Sequence, residues 1–210
     1  MKGGSPMLFG KGYEEPKKKV FDKTRILRLG AEGKWCTFTG HRPAKLGIKS
    51  ERDHLCEEIK LGLKREIAIA CELGYRNFIT GMALGTDMWA AREVLRFRYV
   101  YGLRNETLKL FAAVPFEGQE LQWTMAQQLA YQQILANCDG VFYISSSGNS
   151  GAYLARNLYM TDHATRLIAV SNGSAGGTLR TINAAIERGM EIRIINCLKD
   201  RIMSTTSLQY

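Results

Sequence analysis

The chain has 210 residues, 45% of them apolar and 23% charged. That is an ordinary globular composition, and a core of this size needs no disulfide or metal to complete it. There are 29 Lys and Arg residues against 20 Asp and Glu, a formal net charge of +9. No apolar run approaches the roughly 18–20 residues of a membrane span, and no apolar segment of about 7–15 residues follows the basic N-terminus as a secretory signal would require.

The positive charge is unevenly placed. Residues 1–34 hold nine basic side chains (Lys2, Lys11, Lys17, Lys18, Lys19, Lys23, Arg25, Arg28 and Lys34) and four acidic ones (Glu14, Glu15, Asp22 and Glu32). This stretch mixes Gly, Pro and a Lys run, and it is expected to be a basic, flexible arm with at most a short strand near Arg25–Leu29. The rest, 35–210, is expected to form one domain. A basic balance invites a nucleic-acid reading, but more than half of it sits in the arm. The five cysteines (Cys36, Cys56, Cys71, Cys138 and Cys197) form no CxxC pair, which fits free thiols of a reducing cytosol. His41, His54 and His163 show no metal-ligand spacing, so no metal site is expected.

From Trp35 onward, short apolar runs alternate with helical stretches. Strands are predicted at Trp35–Thr39, Tyr75–Thr80, Thr107–Val114, Gly140–Ile144, Arg166–Val170 and Glu191–Ile195. Helices are predicted at Glu51–Leu73, Thr86–Tyr101, Leu121–Ala136, Gly151–Ala164 and Thr178–Arg188. Such alternation with short connections indicates an α/β fold: a Rossmann-like three-layer sandwich with a mostly parallel sheet and helices on both faces.

Ligands of such sheets bind outside the carboxyl ends of the strands, so the loops after the strands carry the functional expectation. They read Thr39-Gly40-His41-Arg42-Pro43, Thr80 to Asp87, Pro115 to Gln119, Ser145 to Gly148, and Ser171 to Thr178. Gly81–Asp87 and Gly173–Thr178 both run from strand into helix. Glycine permits close backbone approach, and the free N–H groups of the next helix favour an anion. Neither turn is a P-loop or a GxGxxG fingerprint. Two on one rim, with Arg42 and Ser145 near, suggest a phosphate or pyrophosphate. Arg42 fits either a bidentate anion contact or a structural salt bridge. His41 fits a hydrogen-bond donor, a titrating group or a packed loop residue. Asp87 fits a helix cap or an acceptor for ribose or base. Glu117 fits a general acid/base, a ribose-binding carboxylate or a solvated loop residue. Trp89 and Trp123 read as helix packing rather than stacking platforms. Tyr153, Arg156 and Asn157 fit the rim or a subunit contact.

These loops, in this order, resemble the YpsA-like branch of the SLOG superfamily, whose relatives include the Smf/DprA proteins and the Lonely-Guy nucleotide hydrolases. The matching stretches are Thr39-Gly40-His41-Arg42-Pro43, Gly81 through Asp87 to Met88-Trp89-Ala90-Ala91, and Pro115-Phe116-Glu117-Gly118-Gln119 with Trp123. The others are Arg156-Asn157 with Met160 and Asp162, then Leu167-Ile168-Ala169-Val170, and Gly176-Gly177-Thr178 with Thr181-Ile182. The resemblance spans about residues 35–195. It implies a pocket for a nucleotide-derived ligand such as ADP-ribose or NAD, in a cytoplasmic protein of bacterial or phage type. The ligand-binding set expected from the rim loops and the resemblance together is Thr39, Gly40, His41, Arg42, Gly81, Gly85, Thr86, Asp87, Glu117, Ser145, Arg156, Asn157, Gly176, Gly177 and Thr178. One departure stands out. Lonely-Guy hydrolases resemble PGGxGTxxE, whereas this chain reads Ala175-Gly176-Gly177-Thr178-Leu179-Arg180-Thr181, with a threonine where the catalytic glutamate would be.

The leading expectation is therefore a binding module for a small nucleotide-like ligand, acting as a sensor, sequestering or regulatory protein through a protein partner or a homo-oligomer. A nucleotide N-glycosidic or phosphoester hydrolase using Glu117 is the alternative. Single-stranded nucleic-acid binding is the third, kept open by the basic arm. No membrane partner is expected.

Overall fold

The structure, a computed structural model, describes residues 34–102, 107–198 and 201–208. The expected arm and its short strand near Arg25–Leu29 lie outside the described residues, apart from Lys34.

Lys34 opens the first strand, β1 (Lys34–Gly40). It is followed by a 3-10 turn (Pro43–Leu46), α1 (His54–Glu72), β2 (Tyr75–Thr80), α2 (Thr86–Gly102), β3 (Lys109–Val114) and α3 (Met125–Ala136). Then come β4 (Gly140–Tyr143), α4 (Ser150–Asp162), β5 (Arg166–Ser171), α5 (Gly177–Glu187), β6 (Glu191–Leu198) and β7 (Arg201–Leu208). The sheet order is β4-β3-β2-β1-β5-β6-β7. The first six strands are parallel and β7 returns antiparallel to β6. The register Thr39↔Ala169 and Gly40↔Val170 joins β1 to β5 at the sheet centre. The chain moves outward from β1 to β4 and then returns to the other side of β1. The order therefore reverses between β1 and β5, the point where a doubly wound sheet opens a crevice.

The central strands are buried on both faces, as parallel sheets require. All six residues of β5 are buried, and β1 is buried from Trp35 to Phe38 and at Thr39 by less than a tenth exposed. One core holds Cys36, Phe38, Ile59, Leu63, Trp89, Val94 and Tyr131, so α1, α2 and α3 cover one face. The second holds Trp35, Phe111, Phe142, Met160, Ile182 and Ala185, so α4 and α5 cover the other. Trp89 and Trp123 both pack against the first core. The cysteines are unpaired. Burial pushes the Cys138 and Cys197 thiols up to about 12, so they stay protonated.

Two helices start later than their apolar periodicity suggests. Asp53 turns its carboxylate back to accept from the amides of Lys49 (2.7 Å) and Ser50 (3.0 Å), which holds 49–53 as a turn before α1. Thr124 and Gln127 form a capping box, with the Thr124 amide donating to Gln127 Oε1 at 3.0 Å. That reciprocal pair fixes the start of α3 at Met125. The apolar periodicity gives no sign of β7, an edge strand that among the described residues pairs with β6.

Candidate functional site

The site is built where β1, β2, β3, β4 and β5 end. From β1, Gly40 sits so close to Thr86 at the start of α2 that a Cβ at residue 40 would overlap the threonine side chain. Its glycine is thus required by the packing of one rim loop on the next. His41 follows, buried, with Nδ1 3.2 Å from Thr178 Oγ1 and Nε2 3.4 Å from Ser174 Oγ. Burial and the neighbouring Lys45 hold His41 below its usual value of 6.5. A neutral imidazole donates from one nitrogen and accepts at the other, and both hydroxyls can complement either arrangement.

Arg42 and Lys45 stand three residues apart across the 3-10 turn, where side chains at that spacing eclipse. Both are exposed. Lys45 Nζ donates to the Ala175 carbonyl at 2.5 Å and is 3.0 Å from where a Cβ of Gly176 would stand. Arg42 lays its guanidinium 5.7 Å from the Tyr153 ring centroid. Lys45 was not among the expected site residues; the signal for it is its i,i+3 spacing from Arg42, visible only once Pro43 and Gly47 are seen to bound a tight turn.

The loop after β2 is held by a buried clip. Arg156 of α4 bonds the Gly81 carbonyl and lies 3.1 Å from Asp87 Oδ2. Asp87 Oδ2 also accepts from the Ala83 amide at 3.2 Å. Burial raises Asp87 and lowers Arg156, each partly offset by the other. Arg156 Nε and Thr86 Oγ1 are buried with no hydrogen-bond partner among the described residues. Met82 takes φ 57 inside this loop, a strained value for a side chain that size. Its carbonyl accepts from Gln119 Nε2 at 3.1 Å, which ties the β3 loop to the β2 loop.

The loop after β5 presents Gly176 at φ 145, then Gly177 and Thr178 as the first turn of α5. The first amides of α5 and α2 have no intrahelical acceptors. Thr181 donates to the Gly177 carbonyl (2.9 Å) and accepts from Asn157 Nδ2 (2.9 Å). Thr181 therefore braces the first turn of α5 against α4. Asn157 reaches that brace. Ser145 closes a small turn with Ser147 (3.0 Å). Glu117 is exposed beside half-buried Phe116. Gly148 approaches the Phe116 ring so closely that a Cβ would crowd it.

The structure thus brings His41, Thr178 and the Gly176–Gly177 turn together, and joins Gly40 to Thr86 and Gly81 to Asp87 and Arg156. Thr39 is buried as β1 ends. Asp87 and Arg156 neutralise each other rather than face solvent, while Arg42 and Lys45 supply the accessible positive charge. Among the described residues, no group of three His, Cys, Asp or Glu could hold a metal ion, and no helix is long and apolar enough to cross a membrane.

The family model YpsA, described as the YspA SLOG family, matches residues 36–198. The SPbeta prophage-derived protein YoqJ of Bacillus subtilis is 33% identical over 155 residues, covering 68% of this chain and 82% of that protein. A UPF0398 protein of Halalkalibacterium halodurans is 27% identical over 144 residues, covering 68% and 74%. Two solved structures share the fold. DNA processing protein A of Helicobacter pylori, described for its single-stranded DNA binding mode, has a TM-score of 0.55 at 16% identity, over 96% of this chain and 82% of that one. DNA processing protein A (DprA) of Streptococcus pneumoniae has a TM-score of 0.52 at 17% identity over 80% of this chain. This chain spans about half the length of the pneumococcal protein, 52% of it.

Proposed function

The chain belongs to the YspA SLOG family, and from that premise we propose that its rim binds the phosphates of a nucleotide or nucleotide derivative such as ADP-ribose or NAD. The observation that carries this reading is the pairing of two helix N-termini, α2 and α5, with exposed Arg42 and Lys45 at the strand-order reversal. Helix N-termini attract anions through free amides and the dipole, and a guanidinium adds a bidentate contact. Thr178 and the amides of Gly177 and Thr178 hold one phosphate, and Gly85 and Thr86 lie at the second turn. The bound state acts on a protein partner or a second copy of the chain, as a sensor or sequestering module in the cytoplasm.

Native mass spectrometry of the full chain with NAD, ADP-ribose and AMP tests the reading: one saturable adduct is expected, and no adduct with any of them refutes it. A hydrolase reading rests on Glu117, a carboxylate that stays solvent-accessible at the rim. It expects products from the same incubations and their loss in Glu117→Gln.

A further inference from the structure

The aromatic pair at one end of the rim has no role in phosphate binding as described above. Phe116, from the loop after β3, meets Tyr153 of α4 edge to face, with centroids 5.6 Å apart and planes at 85°. Both rings are half-buried. Gly148 leaves space for the Phe116 ring that any side chain there would fill. The guanidinium of Arg42 lies over the Tyr153 ring. Asp87, which feels Arg42 electrostatically, is bonded to Arg156.

We propose that Tyr153, backed by Phe116, is the stacking platform for the nucleobase of the ligand, and that Arg42 occupies this platform until a phosphate draws it away. The inference rests on the phosphate-binding reading of the same rim. A planar guanidinium and a planar base take the same seat on an aromatic face. An exposed cation–π contact is weak, whereas a guanidinium on phosphate makes charge-assisted, bidentate bonds. The exchange therefore favours both groups: Arg42 gains an anion and the base gains the ring. Base and phosphate recognition become coupled through one side chain. A ligand with phosphate and no base engages Arg42 and leaves Tyr153 bare. A base without phosphate must compete with Arg42 for the ring.

The test is calorimetry on the full chain with two probes, ADP-ribose and ribose 5-phosphate. For Tyr153→Leu, ADP-ribose binding is expected to weaken by roughly tenfold or more, the loss typical of one stacked base, while ribose 5-phosphate, which no longer has to draw Arg42 off a ring, binds as well as before or tighter. Tyr153→Phe is expected to retain both affinities. In the wild-type protein, transferred NOEs from the Tyr153 ring to adenine H2 and H8 are expected, a readout independent of any variant's folding. Unchanged ADP-ribose affinity in Tyr153→Leu, equal weakening of both probes, or absent NOEs with ADP-ribose bound would overturn the stacking platform while leaving the phosphate site standing. Failure of the wild-type chain to bind either probe would remove the phosphate reading and this inference with it.

Discussion

Arg156 shows how closely this rim is set at single side chains. Its guanidinium bonds the Gly81 carbonyl and Asp87 together, and the space beside Gly81 is filled by both groups. Gly81→Ala must push a buried ion pair aside, and it is expected to destabilise the fold by about 1–3 kcal/mol, the usual cost of overpacking. Asp87→Ala leaves Arg156 buried without its carboxylate and should cost more, about 3–5 kcal/mol. Urea unfolding midpoints of the two variants measure both, and the reverse ranking would refute the clip. His41 makes a pH-dependent prediction. Its folded value lies below 6.5 because of burial and Lys45, while the unfolded imidazole titrates near about 6.5. The unfolded chain therefore binds more protons as pH falls below that value, and the stability conferred by neutral His41 is present above it and lost as pH falls through the folded value. Urea unfolding from pH 7.5 to 5.5 should show the stability gap between wild type and His41→Gln narrowing toward acid; a gap that widens would contradict the assigned neutral state.

The elements explain what can be read without coordinates. Strands β1 to β6 announce themselves as short apolar runs closed by Gly, Ser, Thr or Pro, because a strand buried on both faces cannot afford polar alternation. Helix starts are harder, since Leu121 and Trp123 continue the apolar pattern of α3 while the Thr124–Gln127 capping box decides where backbone bonding begins. Loop residues such as Gly40, Gly81 and Gly176 are legible as rim candidates because a strand-to-helix turn needs them. The distinction between Asp87, spent on Arg156, and Lys45, left accessible, is not legible. It depends on α4 crossing behind the β2 loop, a contact 69 residues apart in sequence. The opposite, amino-terminal end of the strands carries its own long-range network. Fully buried Arg166, the first residue of β5, donates to Glu191 Oε1 at 2.7 Å and lies 3.5 Å from Glu66 Oε2 of α1. Arg193 bonds the same Glu66 oxygen at 3.0 Å. Arg166→Leu should destabilise by about 1.5–3 kcal/mol, the usual cost of a hydrogen bond to a charged group, because Glu191 loses its buried donor while Arg193 still holds Glu66. Because the network lies at the amino ends of the strands, ligand affinity at the rim should be unchanged under native conditions. Paired unfolding and calorimetric measurements on this variant check both statements.

At the scale of the whole molecule, the +9 charge divides between two readings. Residues 1–34 carry +5 of it, and of their nine basic side chains Lys34, which opens β1, is the one among the described residues. Binding of single-stranded DNA, if carried by the arm, should fall steeply with salt and vanish on deletion of residues 1–33, with nucleotide binding retained. Filter binding at two salt concentrations with full-length and shortened chains would show this; nucleic-acid affinity that survives the deletion would place it on the folded domain instead. The doubly wound order makes the narrower claim. By reversing between β1 and β5, it brings the 3-10 turn with Arg42 and Lys45 against the first turn of α5. The most direct test is isothermal calorimetry of ADP-ribose with the wild-type chain and with the Arg42→Ala, Lys45→Ala double variant. The account predicts saturable one-to-one binding by the wild type and at least about a tenfold loss in the variant, consistent with removal of two charge-assisted phosphate contacts. Equal affinity in the two proteins would contradict it.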